Sequence, residues 1–466
     1  MQLISEKTES ANIVIVGAGI AGISAAYHLA VKQGMRNVVM IDERDPLTLT
    51  SDKSMECYRN WWPGPNDHMV CFMNRSIDLM EDLARDTENL IHLNRRGYLF
   101  MTGDENRINI IKDAAVETSY FGAGPLRIHD IGSNVTDYAP SPAWGFENQG
   151  SGADLLLDKQ LIAKYYPYIT SDVVAALHVR RAGWFSAQQM GMYMLEQALD
   201  HGVRICKSKL TSIELKSGHV DTVHLQSANQ TYSINTEILV IAGGPFVNKI
   251  TSMIDVNLPV SNELHTKMAF QDYQGIVGRD APFMIWEDPV YLSWLPDERA
   301  ELESDESVRW MLEEFPGGMH FRPDGGVNSP ILLMQLSYGV DVAEPVWPPK
   351  FDPFVTDILV RGLMPMVPDL SRYIGKMRHT FVDGGYYCKT SDNRPLIGPL
   401  SVEGAFVIGA FSGYGLMASQ AAGELLAAHV VGHQLPTYAD AFLVDRYEDS
   451  NYSDIANQMQ DKFGQL

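Results

Sequence analysis

At 466 residues, 45% of them hydrophobic and 20% charged, the chain can bury a large core and lacks the composition of a disordered protein. Its formal net charge of -22, with no basic cluster to offset it, argues against binding to nucleic acid or to an anionic membrane surface. Cys57, Cys71, Cys206 and Cys388 form no C-x-x-C pair, which argues against a zinc site or disulfide framework, calls for no metal, and fits a reducing cytoplasm.

MQLISEKTES lacks a basic stretch followed by an apolar one, so no signal peptide is expected. The next segment, ANIVIVGAGIAGISAAYHLAV, is uncharged and long enough to test as a membrane span. Its glycines, Asn12 and His28, and its change from β-branched to alanine-rich residues, predict a strand and then a helix, with no transmembrane segment. Ile13 to Val16 reads as a buried parallel strand, Ala21 to Lys32 as a helix, and NVVMIDERD as a second buried strand ending at Asp42. ECYRNWWPGP, from Glu56 to Pro65, reads as an aromatic loop: adjacent tryptophans cannot enter one core from a strand, and Pro-Gly-Pro interrupts regular structure. Residues 89–182 mix helical stretches with Pro/Gly/Ser-rich loops. GWFSAQQMGMYMLEQALDHGV leads into a helix that stops at Gly202. RICKSKLTSIEL, GHVDTVHLQ and TYSINTEILVIAGG read as three strands. Residues 259–383 hold strand-like runs and an acidic insertion, PDERAELESDESVRWMLEEF, read as a solvated helix face. From Gly384 the strand, glycine loop and helix pattern returns, and a polar, helix-prone tail begins near 437. This alternation predicts an α/β fold. A Rossmann-like domain is built from 1–88, 183–258 and 384–445, an inserted β-rich α+β domain from 89–182 and 259–383, and a tail from 446–466.

GAGIAG places Gly17, Gly19 and Gly22 in a G-x-G-x-x-G pattern. Gly17 permits a tight turn, Gly19 a close approach by pyrophosphate, and Gly22 close packing of helix on sheet. Ile20 and Ala21 open the helix, whose free N–H groups and positive dipole end suit phosphate. A bare glycine pattern is weak evidence. This one follows a strand, opens a helix, and is followed 20 residues after Gly22 by Asp42, placed to accept from ribose hydroxyls. A second glycine loop, with Gly409, Gly413 and Gly415, precedes a small-residue helix near the end of the chain. A nicotinamide domain has no general need of it, whereas a flavin ring lies far from its pyrophosphate. N–H groups at that helix start would stabilise negative charge on the reduced ring, which selects FAD.

Four stretches then carry a resemblance: IVIVGAGIAGISAAYHLA, ILVIAGGPF, FRPDGG and TSDNRPLIGPLSVEGAFVIGAFSGYGLMASQAAGELLA, in that order across nearly the whole chain. The sequence resembles the D-amino-acid oxidase superfamily of FAD enzymes, in particular its sarcosine oxidase, glycine oxidase and dimethylglycine dehydrogenase branch. The resemblance implies that Gly17, Gly19, Gly22 and Asp42 hold the ADP half of FAD, with Glu43 and Arg44 toward adenine and Leu210 at a strand position whose backbone contacts it. Ser51 and Ser54 stand where the family has hydroxyls near the phosphates, although loop serines also form turns. Ala242 and Gly243 should pass close to the cofactor, and Gly413, Tyr414, Gly415, Leu416 and Met417 should line its pyrimidine edge. Tyr387 corresponds to a substrate-facing tyrosine. The implied chemistry is hydride transfer from the carbon beside an amine nitrogen to flavin N5, giving an imine that water hydrolyses. The implied partners are a small amine or amino acid and, as electron acceptor, O2 or an acceptor protein or quinone.

Three departures matter. Gly385 stands where the sarcosine oxidases tether FAD through cysteine; Cys388 follows three residues later and should point elsewhere, so FAD is expected to be noncovalent. Met417 replaces a lysine that helps bind substrate carboxylate, and no lysine lies between Asn328 and Pro349, where the oxygen-activating one is expected. Oxidase and dehydrogenase therefore stay open. For the substrate pocket the candidates are Arg59, as carboxylate clamp or as a structural arginine stacked on Trp61 or Trp62, and His320 and Arg322, two residues apart on one strand face. Arg322 has the alternative of pairing with the acidic insertion. Tyr387 and Tyr414 join them, while Trp286, Tyr291 and Trp294 read as an amine-binding wall or as core. Oxidation of a hydroxy acid or polyol phosphate at a C–O bond, and a purely structural FAD subunit, are the competing functions.

Overall fold

The computed structural model describes residues 7–131, 137–227, 230–449 and 452. A six-stranded sheet runs in the order Arg204–Lys207, Val38–Asp42, Ile13–Val16, Ile238–Ile241, Ala405–Gly409, Leu396–Pro399. The first five strands are parallel and the last is antiparallel. Ile13–Val16 is buried along its whole length, as a strand covered on both faces must be. The helix Ile20–Tyr27 follows this strand, and Gly415–Val431 follows Ala405–Gly409. Because both strands point the same way, both helices begin at the same edge of the sheet. They pack side by side. A Cβ on Gly423 would overlap Ser24 Oγ, and Ser24 Oγ donates to the carbonyl of Ser419 at 2.6 Å.

The sequence expectations need three corrections here. The helix expected to reach Lys32 is α-helical only over Ile20–Tyr27 and ends in a π turn, His28–Lys32. RICKSKLTSIEL divides at Ser208, whose N–H donates to the carbonyl of Asp42 at 2.8 Å. Arg204–Lys207 extends the six-stranded sheet, while Lys209–Lys216 enters a separate four-stranded sheet. TYSINTEILVIAGG divides likewise into Gln230–Asn235 and Ile238–Ile241, one in each sheet. Periodicity sees the extended run but not the change of partner. The third correction concerns ECYRNWWPGP. Its first part, Cys57–Arg59, is a strand paired with Ala182–Trp184, and the chain is irregular only from Asn60. Both tryptophans are buried, in opposite directions: Trp62 joins the core of the Ile20–Tyr27 helix, and Trp61 joins the core beneath the second large sheet.

That second sheet has nine strands, ordered Phe381–Thr390, Val260–Gln271, Ile331–Gln335, Met319–Pro323, Phe283–Trp286, Tyr98–Thr102, Ala175–Val179, Ala153–Leu156, Leu126–His129. Its register sorts the residues by face. Tyr387, His265, Lys267, Gln335, His320, Phe283 and Tyr98 share one face. Met268, Met334, Phe321, Met284, Trp286 and Leu99 share the other, which packs against the helix Val355–Leu363. The acidic insertion forms a mostly exposed helix, Pro296–Ser304, fastened by Glu298 to Arg361 at 2.8 Å. Of the tail, 446–449 and 452 lie among the described residues, and Arg446 pairs with buried Asp392 at 2.9 Å. Among the described residues no helix is long and apolar enough to cross a membrane.

Candidate active site

A cavity of about 500 Å³ opens at the edge of the six-stranded sheet where the two helices begin. Glycine turns and two helix starts form part of its wall. Gly17 has φ +113°, and a Cβ there would overlap the carbonyl of Ala242. Gly19 caps the first helix without a side-chain bond, leaving that helix end facing the cavity. Gly22 does not line the cavity. A Cβ on it would overlap the Gly17 carbonyl, so it sets the distance between helix and strand. Asp42 fixes the rim: its Oδ2 accepts from the Ala18 N–H at 2.8 Å and its Oδ1 from the Arg44 N–H at 2.9 Å. Ser51 Oγ accepts from the Ile20 N–H at 3.0 Å, and Ser54 Oγ accepts from the Glu56 N–H at 2.9 Å. Both serines therefore shape turns and line the cavity together. Ala21, Glu43, Arg44, Leu210, Ala242 and Gly243 complete this end, with the Arg44 guanidinium 5.9 Å from the Phe246 ring. Gly413, Gly415 and Leu416 form the other end. Lys249 and Pro345, Val346 and Trp347 also line it and carry no sequence signal.

A smaller cavity of about 80 Å³ adjoins this end and shares Ser54, Tyr387, Ser412, Gly413 and Leu416 with the larger one. Tyr98, Phe283, His320, Gln335 and Tyr387 come from one face of the nine-stranded sheet; Cys57, Arg59, Trp62, Tyr414 and Met417 close it from the other side. Arg59 is only 4% exposed. Its Nε donates to the Trp61 carbonyl at 3.2 Å, and its guanidinium lies 4.6 Å from the Trp62 ring and 5.7 Å from Tyr98. Arg59 thus stacks on Trp62 and also lines the cavity. Burial lowers its pKa, yet a guanidinium stays cationic. His320 Nδ1 lies 2.7 Å from the Gly318 carbonyl, so that nitrogen donates, and burial pulls its pKa down to about 4. It is neutral at pH 7 with Nε2 left as acceptor. Tyr387 stacks on His265 with centroids 3.9 Å apart, and its oxygen accepts from Gln335 Nε2 at 3.3 Å. Tyr414 meets Trp62 edge-on at 4.8 Å and donates its hydroxyl to the Asn393 carbonyl. Burial raises the pKa of both tyrosines, so neither ionises at neutral pH.

Arg322 is not among the cavity-lining residues. It shares the face of His320 but is fully buried against the 55–57 segment. Its Nε donates to the Met55 carbonyl at 2.7 Å, and it pairs with Asp324 at 2.6 Å and Glu56 at 3.5 Å. Its partners are therefore not those of the acidic insertion. Trp286, Tyr291 and Trp294 line neither cavity. Trp286 points to the opposite sheet face, Tyr291 is exposed, and Trp294 lies 4.1 Å from the Arg361 guanidinium. Cys388, expected to point away, does line the larger cavity, where burial pushes its thiol up to about 12. Lys267, from the strand beside Gln335, lies outside both linings and donates to the Ser54 carbonyl at 2.7 Å. Sequence reasoning missed Tyr98, Phe283, Gln335, Ser337 and Ser412. Only Ser412 had a signal, its place within F-S-G-x-G.

Residues 12–429 match the family model described as FAD dependent oxidoreductase. The chain belongs to that family. It is an FAD-dependent oxidoreductase, as the D-amino-acid oxidase resemblance implied. The cavity fits the cofactor: two helix starts whose N-cap residues make no side-chain bond face it, and buried Ser412 Oγ, on both linings, has no partner among the described residues. The FAD-dependent oxidoreductase domain-containing protein 1 of Xenopus laevis is 23% identical over 455 residues, 91% of this chain and 79% of its own. Among solved structures, L-proline dehydrogenase from P. horikoshii superposes with a TM-score of 0.71 at 18% identity, covering 95% of this oxidoreductase and 99% of that chain. Glycine oxidase from Geobacillus kaustophilus gives a TM-score of 0.68 at 16% identity, covering 94% and 99%.

Proposed function

We propose that the protein oxidises the C–N bond of a small secondary or N-methylated amino acid, giving an imine that hydrolyses. The observation that carries this reading is Arg59, a buried cation in a small, aromatic-lined cavity beside the Gly413 loop. A planar guanidinium binds a carboxylate bidentately, and stacking on Trp62 holds its orientation. Tyr98, Phe283 and Tyr387 line the cavity with aromatic surface and help exclude water. The cavity is small, about 80 Å³, which suits a small amino acid. FAD, when bound, supplies the hydride acceptor. Neutral His320 can accept a hydrogen bond at Nε2 and so help orient the substrate. The names of the proline dehydrogenase and glycine oxidase support amine over alcohol chemistry.

Noncovalent FAD is part of the proposal. A Cβ on Gly385 would press on Thr50 and Lys53, at 3.2 and 3.1 Å, and a Cys388 thiol with a pKa near 12 holds almost no thiolate at neutral pH. The electrons pass to O2 or to an acceptor protein or quinone, in the cytoplasm. Anaerobic bleaching of the flavin by sarcosine, dimethylglycine, proline, D-amino acids and hydroxy acids tests the reading. Bleaching by a hydroxy acid and by no amine would overturn it.

A further inference from the structure

Much of the smaller cavity's lining is buried, Arg59, Trp62, Tyr98, His320, Tyr414 and Met417 among it, while Ser337 and Tyr387 are half-buried. An amino acid that enters as an ammonium ion carries a proton that must leave before the nitrogen lone pair is free. That proton needs a way out. One chain of hydrogen bonds leads from the cavity to an open polar groove. Ser337 lines the cavity, and its Oγ lies 3.0 Å from His265 Nδ1. His265 Nε2 lies 3.2 Å from Glu263 Oε2. Glu263 lines the groove, together with exposed Asn257, Pro259 and Ser391. Glu263 and His265 are two residues apart on one strand and so project from the same face.

We propose that Ser337, His265 and Glu263 form a proton relay from the smaller cavity to this groove, resting on the amine reading above. Ser337 donates its O–H to His265 Nδ1, and His265 donates Nε2–H to Glu263. On transfer the substrate ammonium gives a proton to Ser337 Oγ as the Ser337 proton passes to Nδ1. The Nε2 proton passes to the Glu263 carboxylate, which releases it to water. One proton leaves the cavity, and no electrons move. A proton is taken up again when the electrons pass to O2 or another two-electron acceptor. Returning along the same chain, it restores the starting tautomer. Stacking on Tyr387 at 3.9 Å keeps the His265 ring from resetting by a flip instead.

The surrounding charges suit the task. Burial lowers the His265 pKa against the opposing pull of Glu263, so the ring rests neutral. Lys389, 3.0 Å from Glu263 Oε2, helps His265 keep that carboxylate ionised. Tyr387 and Ser337 face the ring, and the neighbouring cation His320 could form is suppressed by its own burial.

Selective ¹⁵N-histidine NMR of the holoenzyme tests the geometry without any substrate, the His265 signals being assigned by their loss in His265→Asn. We expect a neutral Nε2–H ring around neutral pH, with an Nδ1 resonance that moves in Ser337→Ala. An imidazolium, an Nδ1–H tautomer or an unmoved resonance would overturn the relay. With whichever amine bleaches the flavin, Glu263→Gln and Ser337→Ala should slow bleaching about 10-fold or more near neutral pH. Raising the pH should restore the rate, because the amine then enters without its extra proton. A loss of rate that is the same at every pH would mean a structural role and end the proposal. If no amine bleaches the flavin, the substrate reading fails, and the NMR result alone decides the relay.

Discussion

The two cavities meet at Gly413 but are built from different material. The larger one takes in glycine turns, two helix starts and strand ends, places where the backbone comes close. The smaller one is walled by side chains from six separated stretches of the chain, 54–62, 98, 283, 320–337, 387 and 412–417. Backbone walls tolerate almost no change of residue type where they are tight, because the substituted atom has nowhere to go. Side-chain walls tolerate change structurally but lose a specific interaction. The difference predicts how each cavity fails.

The largest effect is expected at Gly17. With φ +113° and the Ala242 carbonyl in the place of a Cβ, Gly17→Val combines backbone strain of about 1 to 3 kcal/mol with a clash. The protein should purify colourless, measured as the ratio of flavin to protein absorbance. A fully yellow variant would break the distinction between the two kinds of wall. Arg59→Ala comes next. It should keep FAD but raise KM for carboxylated substrates about 100-fold, from losing a charge-assisted contact of about 2 to 3 kcal/mol. A fall in FAD content with unchanged KM would place Arg59 with the cofactor wall.

Arg322→Met should separate support from lining. Arg322 is fully buried and bonded to the Met55 carbonyl and Asp324. Its loss should cost about 3 kcal/mol of stability, seen in thermal unfolding. KM should move less than in Arg59→Ala. The smallest effect concerns Glu287, which lies just beyond the strand that carries Phe283 and is 9% exposed. Burial raises its pKa to about 7, against the opposing pull of Arg107 and Arg59. The folded protein then binds this proton more tightly than the unfolded chain. Stability is therefore highest below about 4.5 as far as this group is concerned, and falls as pH rises toward about 7. By pH 6 the loss is on the order of 2 kcal/mol. Glu287→Gln should flatten the decline of Tm over that range, and an unchanged slope would refute the assignment.

The same contrast explains what could be read from sequence. Gly17, Gly19, Gly22 and Asp42 act through local backbone geometry, and local geometry leaves a spacing pattern. Gly413 and Gly415 were legible for the same reason. The smaller cavity depends on strand register, which links Tyr98, Phe283, His320 and Gln335 across the sheet without any spacing in the chain. Parity placed His320 and Arg322 on one face correctly. It could not say that the cavity ends between them, since Met55 and Asp324 claim the arginine. Trp286 failed for the opposite reason: one residue of alternation sends it into the far core. The breaks at Ser208 and after Asn235 were illegible because a strand that changes sheets keeps its extended, β-branched character.

The packing of Ser24 against Gly423 has a consequence for biosynthesis. The two helix starts that bound the larger cavity lie almost 400 positions apart along the chain, and Ile238–Ile241 sits between their strands. A ribosome must therefore release the first glycine loop long before its companion exists. Throughout that interval the emerging chain has one half of a cradle and nothing to close it. A cofactor bound across both loops would then fasten together two parts of the chain that are synthesised well apart in time.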